Sequence, residues 1–200
     1  MQSSFIRCAA AVGLLLFTGA ALAHPGHGTH TLAAGLLHPF GLDHLLALLA
    51  VGLWSVLALP ARKAWQGPAL FVLALLAAGV LGWMGFMLPW QGQALALSVL
   101  LFGALLLLST LRQVPLGWGL GLVALAGVVH GLAHGFQVPG SGAGVYALGL
   151  VLSTALLHGL GVLLGLGIRR WLAARQGLVF AGLGAALGLA GLALFGQLAA

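Results

Sequence analysis

Residues 64–111 read AWQGPALFVLALLAAGVLGWMGFMLPWQGQALALSVLLFGALLLLSTL, without a single Lys, Arg, Asp or Glu. Residues 113–168 are equally free of formal charge. A soluble domain carries roughly 25% charged residues because its surface must be wetted; this chain carries 4%, with 62% hydrophobic residues and 33 Gly. Disorder is excluded for the opposite reason, since so much apolar material cannot stay solvated. With a mean hydropathy of +1.19, the fold class is an all-α integral membrane protein. The pI of about 11.7 mostly reflects the lack of acids. Seven basic residues scattered along the chain make no phosphate-tracking surface, so nucleic acid is not a partner.

The chain begins with a stretch that reads as a cleavable signal peptide, residues 1–23. Arg7 closes a short basic region, Ala9 to Ala20 are apolar, and Ala21-Leu22-Ala23 fits the small-x-small cleavage rule. The single cysteine, Cys8, would leave with it, and the mature chain would start at His24. Six apolar segments of spanning length follow, at about 31–59, 68–88, 93–111, 116–136, 145–168 and 178–198. Pro60, Pro68, Pro89, Pro115 and Pro139 fall at or near the breaks, as helix boundaries should. The short connections predict a compact bundle of six transmembrane helices with sequence neighbours packed antiparallel.

Charge sets the orientation. With the mature amino terminus outside, Arg62 and Lys63, then Arg112, then Arg169, Arg170 and Arg175 all fall in inward connections. That obeys the positive-inside rule and predicts a multi-pass protein of the bacterial inner membrane with both mature termini periplasmic. Trp65, Trp90, Trp118 and Trp171 stand near span ends, where aromatic belts form. Small-xxx-small spacings such as Gly117-Gly121, Gly161-Gly165 and Gly184-Gly188 read as packing. Six spans allow a three-plus-three inverted repeat with the first and fourth spans as counterparts, although no identity between the halves stands out.

Few groups remain that can do chemistry. Ionisable side chains within a bilayer are costly, roughly 2.5–3.5 kcal/mol for Asp on insertion scales, so their placement is informative. His38, Asp43 and His44 lie within the first span, and Asp43 is the only acid of the chain. On a regular helix His38 and Asp43 would point about 140° apart. Pro39 and Gly41 supply the local unwinding that lets these side chains converge. Broken helices at membrane depth commonly line ion sites. The plainer alternative is a helix start at His44 capped by Asp43.

His130 and His134 are four residues apart at the outer end of the fourth span, a spacing that lets two imidazoles share a metal. His158 stands near the middle of the fifth span. His24, His27 and His30 recur at every third position before the first span and would capture metal outside. Imidazole and carboxylate without thiolate suit nickel, cobalt or zinc rather than copper(I). Met84 and Met87 read as packing.

The segment His38-Pro39-Phe40-Gly41-Leu42-Asp43-His44, followed by Val51-Gly52-Leu53-Trp54, resembles the first motif of the HupE/UreJ family. His130-Gly131-Leu132-Ala133-His134-Gly135 resembles its second. The resemblance extends over essentially the whole chain. It implies nickel permeation, or cobalt in some members, in the service of metalloenzymes such as hydrogenase and urease. It also implies metal handling by His38, Asp43, His44, His130 and His134. Two departures stand out: the family pattern usually has one more residue before its Asp-His pair, and Gln137 stands where the second motif usually ends in Glu.

The expected function is a permease for a divalent metal, nickel first and cobalt second, carried as substrate with no prosthetic group and no enzymatic activity. The partners are the metal ion and the lipid bilayer, with a homo-oligomer left open. The alternatives are a membrane enzyme built on a histidine-held metal, a haem protein, and an accessory protein that binds metal without transporting it. Against an enzyme, Asp43 is the lone carboxylate, which leaves no separate acid/base beside the ligands. No P-loop motif is present, so ATP is not the direct drive.

Overall fold

The computed structural model describes residues 31–136 and 142–199. The proposed leader, the histidines at 24, 27 and 30, and Gln137 lie outside the described residues. Within them all regular structure is helical. Helix α1 spans Leu32–Leu37, a 3-10 turn follows at His38–Phe40, and α2 spans Leu42–Ala58. Then come α3 (Gln66–Trp83), α4 (Gln91–Leu111), α5 (Leu116–Phe136), α6 (Ala143–Trp171) and α7 (Gln176–Ala199). Five helices are long and apolar enough to cross a membrane, and the bent pair α1–α2 makes up to six.

The break between α1 and α2 bends the chain by 76°. Pro39 lies in the 3-10 turn, and Gly41 takes an extended ψ of 139° as the residue before α2. Thr31 caps α1 through its side-chain oxygen, which accepts from the Ala34 N–H at 3.1 Å. The expected span at 68–88 is shorter than its apolar run. Helix α3 ends at Trp83, and Gly85 follows with φ +95°, the left-handed conformation that commonly terminates helices.

The pairing of spans departs from the sequence-neighbour order. The three intimate pairs are α2 with α6, α3 with α5, and α4 with α7. Glycines make them possible, because a Cβ at Gly52, Gly131 or Gly103 would collide with the backbone of the partner helix. Gly52 lies against His158 and Gly161, and Gly165 against Val56, so α2 and α6 run parallel. Gly127 lies against Phe71 and Gly135 against Gly79, so α3 and α5 are also parallel. Gly103 meets Gly184 and Gly188 while Gly191 meets Leu100, so α4 and α7 are antiparallel. These directions agree with strict alternation of six spans. Short loops govern which way consecutive helices run, but close backbone approach governs which of them touch.

Helix α2 is the core of the bundle. Leu48, Val51, Trp54 and Val56 are fully buried there, with Phe71, Val99, Phe102, Val123 and Phe180 from its neighbours. Leu73, Leu125, Leu156, Leu163, Leu178 and Leu189 are exposed on the flanks. Apolar side chains on the outside as well as the inside are what a lipid solvent requires. The directions of the helices also bring Arg62, Lys63, Arg112, Arg169, Arg170 and Arg175 to one end, called here the basic end. Arg169 Nη1 donates to the Val56 carbonyl at 2.7 Å, satisfying an orphan carbonyl of the last turn of α2.

Candidate metal centre

The bend at Pro39–Gly41 places three imidazoles at one point, toward the end opposite the arginines. One ligand nitrogen each from His38, His44 and His134 lies within 4.8 Å of the others. His44 and His134 are buried and His38 is half-buried. Metal–imidazole bonds near 2.1 Å imply nitrogen separations of roughly 3–4.2 Å, so the cluster has to contract by up to roughly 1–2 Å to hold an ion. Ring centroids stand 4.5 Å apart for His38 and His134, 5.4 Å for His38 and His44, and 4.8 Å for His44 and His134.

Asp43 is turned toward His44 rather than into the trio. Its Oδ1 accepts from His44 Nδ1 at 2.7 Å and from the His44 backbone N–H at 2.9 Å. The carboxylate therefore does two things. It takes up an orphan N–H in the first turn of α2, offsetting the positive end of that helix beside the imidazole trio. It also fixes the His44 tautomer: with Nδ1–H donated to Asp43, Nε2 keeps its lone pair. That nitrogen is buried without a protein partner. A histidine oriented by a carboxylate on its far nitrogen is the usual support of a metal ligand. The helix starts at Leu42 with Gly41 before it, two residues ahead of the start at His44 that the capping alternative required, so Asp43 lies inside the first turn rather than at its cap.

His130 and His134 share α5, but their ring centroids are 6.4 Å apart, and they face different neighbours. His134 joins His38 and His44, while His130 lies against His44 alone of that trio, at 5.1 Å. His130 Nδ1 lies 2.9 Å from the Ala126 carbonyl. A carbonyl only accepts, so Nδ1 carries the proton and Nε2 holds a free lone pair, again buried without a partner. His158 is fully buried one layer further on, its ring edge-on to Phe71 at 4.9 Å. Phe71 also touches His130, at 5.2 Å. The order from the histidine end inward is His38 with His134, then His44 and His130, then Phe71 and His158.

Two lining residues were not singled out from sequence. Tyr146, the only Tyr of the chain, has its ring 5.9 Å from that of His38, and its solitary occurrence was an available signal. Phe71 is one of nine Phe and carried none. Met84 and Met87 are exposed beyond the end of α3. An apolar cavity of about 280 Å³ between α3, α5 and α6 has His134 on its wall.

The chain matches the family described as HupE / UreJ protein over residues 12–194. It is also similar to Protein HupE of Rhizobium leguminosarum bv. viciae, with 38% identity over 176 residues, covering 86% of this chain and 88% of the relative. No solved structure matches it.

Proposed function

This chain belongs to the HupE/UreJ family, and from that membership together with the histidine geometry we propose that it is a permease for a divalent transition metal, nickel before cobalt. It would sit in the bacterial inner membrane with both mature termini on the periplasmic side and supply metalloenzyme maturation without being an enzyme itself. The observation that carries the reading is the trio His38, His44 and His134, with ligand nitrogens within 4.8 Å of one another inside a bundle of apolar helices.

The ion arrives hydrated, captured first by His24, His27 and His30. His38, half-buried at the broken span, exchanges the first waters. His44 and His134 complete the contact, with Asp43 acting through His44 by holding its proton and lending negative charge. His130 offers the next lone pair, and His158 lies deeper. Imidazoles in successive layers bind without trapping, and a permease needs weak, successive sites for release. A membrane potential of about 100 mV, negative inside, favours divalent uptake by about 4.6 kcal/mol, so no nucleotide is required.

The test is direct binding by the purified protein in nanodiscs. Nickel and cobalt should bind, and His38→Ala, His44→Ala and His134→Ala should each weaken binding at least tenfold. Undiminished binding in all three would remove the trio from the site.

A further inference from the structure

At the basic end the bundle holds a second cavity, of about 480 Å³, lined by Trp54, Leu57 and Ala58 of α2, Ser109, Thr110 and Leu111 of α4, and the following Arg112, Gln113, Val114 and Leu116. Its position follows from the pairing of helices. Exchanging the first span with the fourth and the second with the fifth turns the parallel pair α2/α6 into the parallel pair α5/α3, running the opposite way. The antiparallel pair α4/α7 maps onto itself. That is the signature of two inverted three-span repeats.

The same exchange relates the two sites. The histidine cluster is built from the start of the first span and the end of the fourth. The cavity at the basic end takes part of its lining from the approach to and start of the fourth (Val114, Leu116) and the end of the first (Trp54, Leu57, Ala58), and the rest, outside that correspondence, from the end of the third and the loop after it. The helix pairing picks out a register that the sequence alone does not, in which Pro39, Gly41, Leu46, Leu49 and Ala50 stand opposite Pro115, Gly117, Leu122, Leu125 and Ala126 at one constant offset. In that register Trp54 is the counterpart of His130 and Gly119 the counterpart of Asp43. The neighbourhoods are similar: Trp54 seats its ring against Gly119, while His130 lies against His44, the residue next to the counterpart Asp43.

Resting on the permease reading, we propose that this cavity is the release vestibule for the cation on the basic side, and that Trp54 is the plug closing it from the histidine layers. Trp54 is fully buried, and its indole N–H has no partner. Leaving a buried donor unmade is costly, and a plug that must move is better held by packing on a glycine than by a hydrogen bond. The lining suits release. It offers two hydroxyls, the Gln113 amide and the Arg112 guanidinium, with no carboxylate or imidazole, so a divalent ion is not retained there.

The experiment uses the full chain with Cys8→Ser and either Thr110→Cys in the vestibule or Ala174→Cys, exposed at the same end, as the control. A bulky membrane-impermeant thiol reagent is applied from the basic side, and nickel binding and nickel uptake are measured on the same preparations. Labelling at position 110 should cut uptake at least tenfold and leave equilibrium nickel binding unchanged, while labelling at 174 changes neither. Failure of the reagent to reach position 110 would overturn the vestibule, as would full labelling without loss of uptake. If the unlabelled protein binds nickel but transports none, the permease reading itself fails and this proposal with it. The plug is tested by Trp54→Ala and Trp54→Phe in a chain carrying Val51→Cys. The alanine variant should expose that fully buried position to the reagent and the phenylalanine variant should not. Equal protection in both overturns the plug.

Discussion

Asp43→Asn removes one negative charge from the histidine layer while leaving an oxygen that can still accept from His44 Nδ1. The hydrogen bond it preserves is 2.7 Å long. A cation held by His44 Nε2 at about 2.1 Å lies about 7 Å from the carboxylate oxygen. At an effective dielectric of about 20, a divalent ion and a unit charge at that distance attract by about 4–5 kcal/mol. Asp43 is 31% exposed, so water and counterions screen part of this. The smaller figure of a 10–100-fold loss in affinity, about 1.4–2.7 kcal/mol, is typical for a support one shell from the metal. Asp43→Asn should therefore weaken nickel binding by about 10–100-fold. Asp43→Ala, which also frees the His44 ring, should weaken it further. Binding isotherms on purified variants in nanodiscs decide this. An Asn variant within twofold of wild type would refute the electrostatic role, and an Ala variant no worse than Asn would refute the tether.

Other outcomes follow from the packing. Gly131→Ala, whose Cβ would meet the Leu75 carbonyl and the Gly79 amide, should lower stability by about 1–3 kcal/mol and weaken nickel binding, because it pushes α5, which carries both His130 and His134, away from α3. Gly103→Ala, in the α4/α7 pair remote from the histidines, should cost similar stability in thermal unfolding but leave the affinity of the folded protein unchanged. Arg169→Ala deprives the Val56 carbonyl of its partner and should lower stability by about 1–2 kcal/mol with binding intact. His158→Ala, one layer below the trio, should slow nickel uptake while changing equilibrium affinity less than threefold. A drop as large as that of His134→Ala would place His158 in the binding layer instead.

Much of the architecture can be read from the chain because the bilayer leaves few options. Uncharged runs mark spans, and Pro39 with Gly41 marks the break that brings His38 and His44 together. The pairing of helices was hidden. In a chain with 33 Gly small-residue spacings arise everywhere, and only contacts separate the functional ones. Gly161, Gly165 and Gly184 sit at interfaces, whereas a Cβ at Gly117 or Gly121 would meet open space. The division of labour between His130 and His134 was also hidden, since a four-residue spacing shows a shared face and not where each ring turns. The Ala126 carbonyl holds the Nδ1 side of His130 and leaves its Nε2 to face inward.

The central claim is that this bundle moves a divalent ion through its histidine layers down the electrical gradient. The most direct test is uptake of radioactive nickel into proteoliposomes under an imposed potassium diffusion potential. With about 100 mV negative inside, the wild type should accumulate nickel, toward a limit of about three orders of magnitude over the outside. Collapse of the potential should abolish accumulation, and His44→Ala and Asp43→Ala should reduce the initial rate at least tenfold. Equal uptake by wild type and both variants, or none above protein-free vesicles, would contradict the account.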